Sequence, residues 1–273
     1  ETSLPNVQVT IGSIEITTDT GLSNSDFITN HAAQTITATL TRSLVAGERL
    51  LGSLDDGATW INVTAITGAV TGTAVSWGSV TLQGASSITF KVEDVAGNNG
   101  PIVSQAYVLD TSIVSNQVIS IDISQDTGPS NADFITSQAL QTAVTARLIR
   151  ALAADESLWA RADDSLAWVD ISSSVAGRTV SWANVSLAAG ANALEFQIRD
   201  TAGNAGEVYT QSYQLVSSLP SATISNIDIS VDSGVSNSDF ITNARSQTIS
   251  AQLIGTLGAG DRIMGSLDGG TSW

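Results

Sequence analysis

The chain has 273 residues, 42% of them hydrophobic, with 26 Asp and Glu against ten Lys and Arg, for a formal net charge of −16. That acidity argues against nucleic acid or anionic membrane surfaces as partners, since both need clustered Lys and Arg, and it favours cations. Cysteine is absent, which excludes disulfides and thiolate metal sites. No apolar run reaches membrane-spanning length and no signal peptide opens at Glu1, so the expectation is a soluble segment cut from something longer, without membrane insertion.

In chain order, strands are predicted near 8–17, 34–43, 49–54, 59–65, 72–77, 87–94 and 103–109. Ile36, Ala38 and Leu40 alternate with Thr37 and Thr39, and Ile88, Phe90 and Val92 alternate with Thr89, Lys91 and Glu93. This period of two buries one face and wets the other. Turn signals fall between the runs at Asp55-Asp56-Gly57, read as a hairpin turn, at Gln83-Gly84 and at Ala96-Gly97-Asn98. No sustained helical period occurs. Seven short strands in about a hundred residues predict a two-sheet sandwich of immunoglobulin type. Its core, without a cysteine pair, rests on residues such as Ile36, Trp77 and Phe90.

The pattern then returns. Asp19 to Thr29 recurs at Asp126 to Thr136, 107 residues on, and at Asp232 to Thr242, a further 106 on. Trp60 recurs as Trp168 and Trp273, Trp77 as Trp182, and Asp94-Val95-Ala96-Gly97-Asn98 as Asp200-Thr201-Ala202-Gly203-Asn204. A period this long is one whole domain. The fold class is therefore all-β, with tandem seven-stranded immunoglobulin-like sandwiches end to end: repeat 1 over 1–112, repeat 2 over 113–218, and the N-terminal half of repeat 3 over 219–273.

Three motifs in order, Asp-Thr-Gly-x-Ser-x-x-Asp-Phe-Ile-Thr, Ser-Leu-Asp-Asp-Gly-x-Thr-Trp and Asp-x-Ala-Gly-Asn, resemble the bacterial Ig-like repeats of giant RTX-type adhesins exported by type I secretion. The resemblance implies Ca²⁺-stiffened extender modules at the bacterial cell surface or outside the cell. Each repeat would touch its neighbours in the chain, and the full-length protein would meet a host-cell or abiotic surface. Repeat 2 departs from the second motif, reading Ala162-Asp163-Asp164-Ser165-Leu166-Ala167-Trp168.

Oxygen donors with no soft ligand point to Ca²⁺ on physical grounds as well. With seven alternating strands, the loop Asp19 to Asp26 lies at the far pole of repeat 1, where the chain leaves. The turn Asp200 to Asn204 lies at the near pole of repeat 2. Asp19, Asp26, Asp110, Asp200 and Asn204 are thus expected to face one junction, and Asp94, Asn98, Asp126, Asp133, Asp232 and Asp239 are their copies. Two readings stand for these residues. Asp-Thr-Gly and Asp-x-Ala-Gly-Asn also make good turns by themselves. The second linker carries Val216 where the first has Asp110, and adds Pro220, so weaker calcium binding is expected there.

Nothing resembles catalytic machinery: His31 is the single histidine, is unrepeated, and reads as a surface residue. Trp60 and Trp168 alternate out of phase with Ile61/Val63 and Val169/Ile171, which places them against an outer sheet face as edge packing or a sugar-stacking platform. Trp159 and Arg161 stand where repeat 1 has Leu51 and Ser53, and mark the place for a ligand site private to repeat 2. The expected function is a non-enzymatic adhesin stalk. The alternative is a module whose repeats bind a receptor or glycan themselves.

Overall fold

A computed structural model describes residues 9–258 and 260–273. The start of the strand expected at 8–17 thus lies outside the described residues, with the first eight residues of repeat 1. The chain divides into two compact units, one ending at Leu215 and the other running from Val216 to Trp273.

The first unit contains two β-sandwiches. In the first, β1 (Ile11–Ile16), β3 (Ala33–Leu40), β7 (Ala74–Thr81) and β6 (Val70–Thr71) form one sheet in the order β1-β3-β7-β6. The facing sheet has the order β2-β9-β8-β4-β5, from β2 (Ile28–Thr29), β9 (Val103–Leu109), β8 (Ala85–Glu93), β4 (Arg49–Ser53) and β5 (Ile61–Asn62). The second sandwich repeats this plan. One sheet is β10 (Val118–Ile123), β12 (Leu140–Leu148), β16 (Thr179–Ser186) and β15 (Val175–Ala176). The other is β11 (Ile135–Thr136), β18 (Tyr209–Leu215), β17 (Gly190–Asp200), β13 (Glu156–Arg161) and β14 (Val169–Asp170). In the second unit, β19 (Thr223–Ile229) pairs antiparallel with β20 (Ile249–Ile254).

Each sandwich has its own core. Ile36, Trp77 and Phe90 are buried together in the first, with the Trp77 and Phe90 rings edge-on at 5.8 Å. Val144, Leu158 and Phe196 centre the second. A Cβ on Gly52 would lie 2.5 Å from the Trp77 ring, so the indole enters the core because that strand position has no side chain. Repeat 2 carries Ala160 there, and its Trp182 is only half-buried.

The strand expectations need three corrections. The segment 59–65 is not one strand. It is two residues of β5 followed by a 3₁₀ turn, Val63–Ala65, capped where the Asn62 side chain accepts from Ala65 N. That turn brings Val63 into the core. The strand expected at 72–77 runs instead from Ala74 to Thr81, preceded by the short β6 across a turn at Gly72, whose φ is +61°. The third correction concerns β2, inside the loop expected to join the first two strands. It crosses to the other sheet and pairs parallel with β9, Ile28 with Val108 and Thr29 with Leu109. The crossing brings the Asp19–Asp26 loop to the pole where β9 ends.

Candidate cation site and repeat junction

Asp19 reaches across its loop. Its Oδ2 accepts from Phe27 N at 2.9 Å, while its Oδ1 is buried with no hydrogen-bond partner. Both features recur. Asp126 Oδ2 accepts from Phe134 N and Asp232 Oδ2 from Phe240 N, each at 2.9 Å, and both Oδ1 atoms are again buried and unpartnered. The three phenylalanines sit at φ of +62°, +57° and +59°, a strained backbone for a bulky side chain. Leaving a buried acceptor unsatisfied costs about 1–3 kcal/mol, and more for a charged one. Turn formation alone needs only the satisfied oxygen. Desolvation pushes the Asp19 carboxyl up from its ordinary value, with the Phe27 N–H opposing it and the negative charges of Asp26 and Glu15 adding to the rise.

The second aspartate of the motif behaves in two ways. Asp133 accepts from Ile135 N through Oδ1 and from Ser130 N through Oδ2, both at 3.0 Å. Asp239 does the same with Ile241 N and Ser236 N, at 3.0 and 3.4 Å. In those loops the carboxylate folds back on the motif glycine: a Cβ on Gly128 would lie 2.6 Å from Asp133 Oδ1, and one on Gly234 2.9 Å from Asp239 Oδ1. In repeat 1, Asp26 is exposed and, among the described residues, accepts only from Ile28 N, through Oδ1. Gly21 has turned to φ +96°.

Repeat 1 is where the next sandwich meets this loop. Thr20 Oγ1 donates to Ala202 O at 2.6 Å, Leu22 N donates to Thr201 O at 3.4 Å, and Asn204 Nδ2 donates to Asp110 O at 2.9 Å. A Cβ on Gly21 would sit 1.9 Å from Thr201 O, and one on Gly203 2.7 Å from Gly21 N. The two backbones touch, so both glycines are required by the approach.

The remaining candidates are occupied within their own turns. Asp200, buried, accepts from Asn204 N through Oδ1 and from Asn204 Nδ2 through Oδ2, both at 2.8 Å. Asp94 accepts from Ala96 N and Asn98 N through Oδ1, and from Asn98 Nδ2 through Oδ2, each at 2.9 Å. The Asn98 bond is the main cause holding Asp94 below the usual carboxylate range. Asp110 Oδ1 accepts from Ser112 N at 2.8 Å. The expected five-residue convergence is therefore a set of neighbours. Asp19 and Asp26 share a loop, Asn204 reaches Asp110 through a backbone oxygen, and Asp200 shapes its own turn. Among the described residues no group of three or more His, Cys, Asp or Glu side chains is placed to hold one ion.

Trp60, Trp159 and Trp168 lie on the outer face of the five-stranded sheets, although the alternation expected for Trp60 and Trp168 does not hold, since Ile61 and Val169 are themselves exposed. Lys91 Nζ stands 4.3 Å over Trp60. In repeat 2, Arg161 stands 4.8 Å over Trp168, and Arg199 lies 5.0 Å from Trp159 and 5.3 Å from Trp168. Arg161 is ion-paired to Glu195 and donates to Asp164 O. Arg199 escaped the sequence reading, because on β17 it alternates like any exposed strand residue. His31 is exposed, and Asp55-Asp56-Gly57 is the expected turn, with Asp55 held down at about 2 chiefly by Thr59.

No family model and no curated protein sequence matches the chain. Two solved structures are similar to it. One is a tetra-tandem repeat in the extending region of a large adhesion protein, at 16% identity and a TM-score of 0.25, covering 90% of this chain and 63% of that one. The other is the BSP domain of a biofilm associated protein, at 10% identity and a TM-score of 0.23, covering 77% of this chain and 30% of that one. The chain thus spans less than two thirds of either.

Proposed function

We propose that this chain is an extender segment of a bacterial surface adhesin, and that Ca²⁺ stiffens its repeat junctions. The observation that carries the reading is the thrice-repeated buried and unpaired Oδ1 of Asp19, Asp126 and Asp232, which in repeat 1 belongs to the loop that the second sandwich contacts. A hard cation satisfies that oxygen, relieves the repulsion between Asp19 and Asp26, and can complete its shell with loop carbonyls and water. In this reading the pairs Asp19/Asp26, Asp126/Asp133 and Asp232/Asp239 supply the side-chain ligands. Asp94, Asn98, Asp110, Asp200 and Asn204 shape the turns and linker that the loop receives.

Extracellular calcium modules bind at roughly 0.1–1 mM, so millimolar calcium adds about 0.4–1.4 kcal/mol per site. That is little for a fold of this size but enough to bias a hinge. The scarcity of basic residues suits a solvated stalk that does not adhere along its length.

The test uses spin labels at Thr39→Cys and Thr145→Cys, exposed positions on the first and second sandwiches of a chain with no other cysteine. The inter-label distance distribution should be narrow in calcium and broad in chelator. Equal widths in the two conditions contradict the proposal.

A further inference from the structure

A cleft of about 360 Å³ opens where the first sandwich meets the second. Gly21 and Leu22 form one wall, and Trp159, Gln197, Arg199 and Gly203 line the rest. We propose that this cleft binds a carboxylate-bearing sugar ring, of the class of a uronic acid residue in an acidic polysaccharide.

Arg199 carries the argument. It is half-buried between the Trp159 and Trp168 rings, and its Nε donates to Gln197 Oε1 at 2.9 Å. Gln197 is itself fixed by donating to Gly206 O at 3.0 Å. Among the described residues no carboxylate forms an ion pair with Arg199, a feature it shares with Arg147, Arg178, Arg245 and Arg262, but unlike them it stacks on two tryptophan rings. In a chain with 26 acids, a guanidinium that lines a cleft, stacks on two indole rings and leaves its terminal nitrogens without a protein partner can take an anion from outside. Trp159 is equally fixed: its indole N–H donates to Ser157 Oγ at 2.9 Å, and that hydroxyl donates to Arg199 O.

The fold does not require these groups. At the same strand positions repeat 1 carries Leu51, Lys91 and Glu93, and it folds on the same plan. The cleft belongs to repeat 2 and is closed by repeat 1, so it exists only at a docked junction.

The lining selects the ligand. Its volume lies at the small end of ligand sites, which run from about 300 to 1,000 Å³, and suits one ring rather than a peptide segment. An aromatic side chain offers a face to sugar C–H groups, and the Gln197 amide and turn backbone offer polar partners to hydroxyls. Buried Asp200 also lines the cleft, with both oxygens engaged by Asn204. Its negative charge disfavours a doubly charged phosphate relative to a single carboxylate.

The test is titration of the whole chain with digalacturonate, galactobiose and inorganic phosphate, followed by calorimetry and by the Trp159 indole N–H resonance. Saturable digalacturonate binding that shifts this resonance is expected, with galactobiose and phosphate at least about tenfold weaker. Arg199→Gln and Trp159→Leu should each weaken binding by about tenfold or more. Arg150→Ser, whose arginine is paired to Glu156 and does not line the cleft, should change it by less than about threefold. Should Arg199→Gln fail to fold, the wild-type resonance still decides. An unmoved Trp159 signal, equal binding of galactobiose or phosphate, or full binding by a folded Arg199→Gln variant would overturn the proposal.

Discussion

Gly21 and Thr201, from successive repeats, approach so closely that a Cβ on the glycine would lie 1.9 Å from the threonine carbonyl oxygen. The contact is backbone against backbone, with Thr20 and Asn204 hydrogen-bonding on either side of it. The Asp-Thr-Gly motif of repeat 1 thus does two jobs two residues apart. Its aspartate leaves an oxygen open, and its glycine admits the next domain.

Gly21→Ala should therefore open the junction while both sandwiches stay folded. A rigid carbonyl cannot yield to a methyl group, and φ of +96° is itself strained for alanine. Hydrogen exchange at the Leu22 amide, which donates to Thr201 O, is the readout, and its protection should be lost. Unchanged protection at Leu22 would show that the contact is dispensable.

Gly52→Ala should destabilise the first sandwich by about 1–3 kcal/mol, through overpacking against Trp77. For a domain of this size each kcal/mol lowers the melting midpoint by roughly 4–8 °C. Trp77 fluorescence should move to longer wavelength as the indole is pushed towards the half-buried state of Trp182. An unshifted midpoint with unshifted emission would contradict the packing account.

Calcium and protons should compete at Asp19. Its folded-state pKa is raised above the ordinary value of 3.8, so the folded protein holds this proton more tightly than the unfolded chain does. In chelator, this group's contribution to stability is present below 3.8 and is lost as pH rises through the raised value. With calcium the direction reverses, because the metal needs the carboxylate. Apparent affinity should fall as pH drops through the raised pKa, while still above 3.8. Affinity unchanged as pH falls to the ordinary carboxylate value of 3.8 would remove Asp19 from the site.

The sandwich was legible because its long strands alternate. Ile88, Phe90 and Val92 announce a buried face, and 106-residue and 107-residue spacings announce whole domains. The strand β2 was not legible. Two residues carry no period, and parallel pairing with β9 is set by a partner 80 residues away in sequence. The candidate site was half-legible. The spacing of Asp19 and Asp26 singled out the loop, yet the turn hydrogen bonds of Asp94, Asp110 and Asp200 were not legible, because a carboxylate engaged in a turn and a carboxylate left open look alike in sequence. Only hydrogen bonding distinguishes them. Asp200 has both oxygens engaged, while Asp19 has one left open. Arg199 stayed hidden for a related reason: its lack of an acidic partner is a property of its surroundings.

The central claim is that a cation satisfies the open aspartate oxygens. Flow dialysis with radioactive calcium tests it most directly, on the wild-type chain and on Asp19→Asn with Asp126→Asn and Asp232→Asn. Asparagine can still accept from Phe27, Phe134 and Phe240, so the loops are retained while three charges are removed. The account predicts saturable binding by the wild type at roughly 0.1–1 mM, and loss of most of that uptake in the triple variant. Equal stoichiometry and affinity in the two proteins would contradict it.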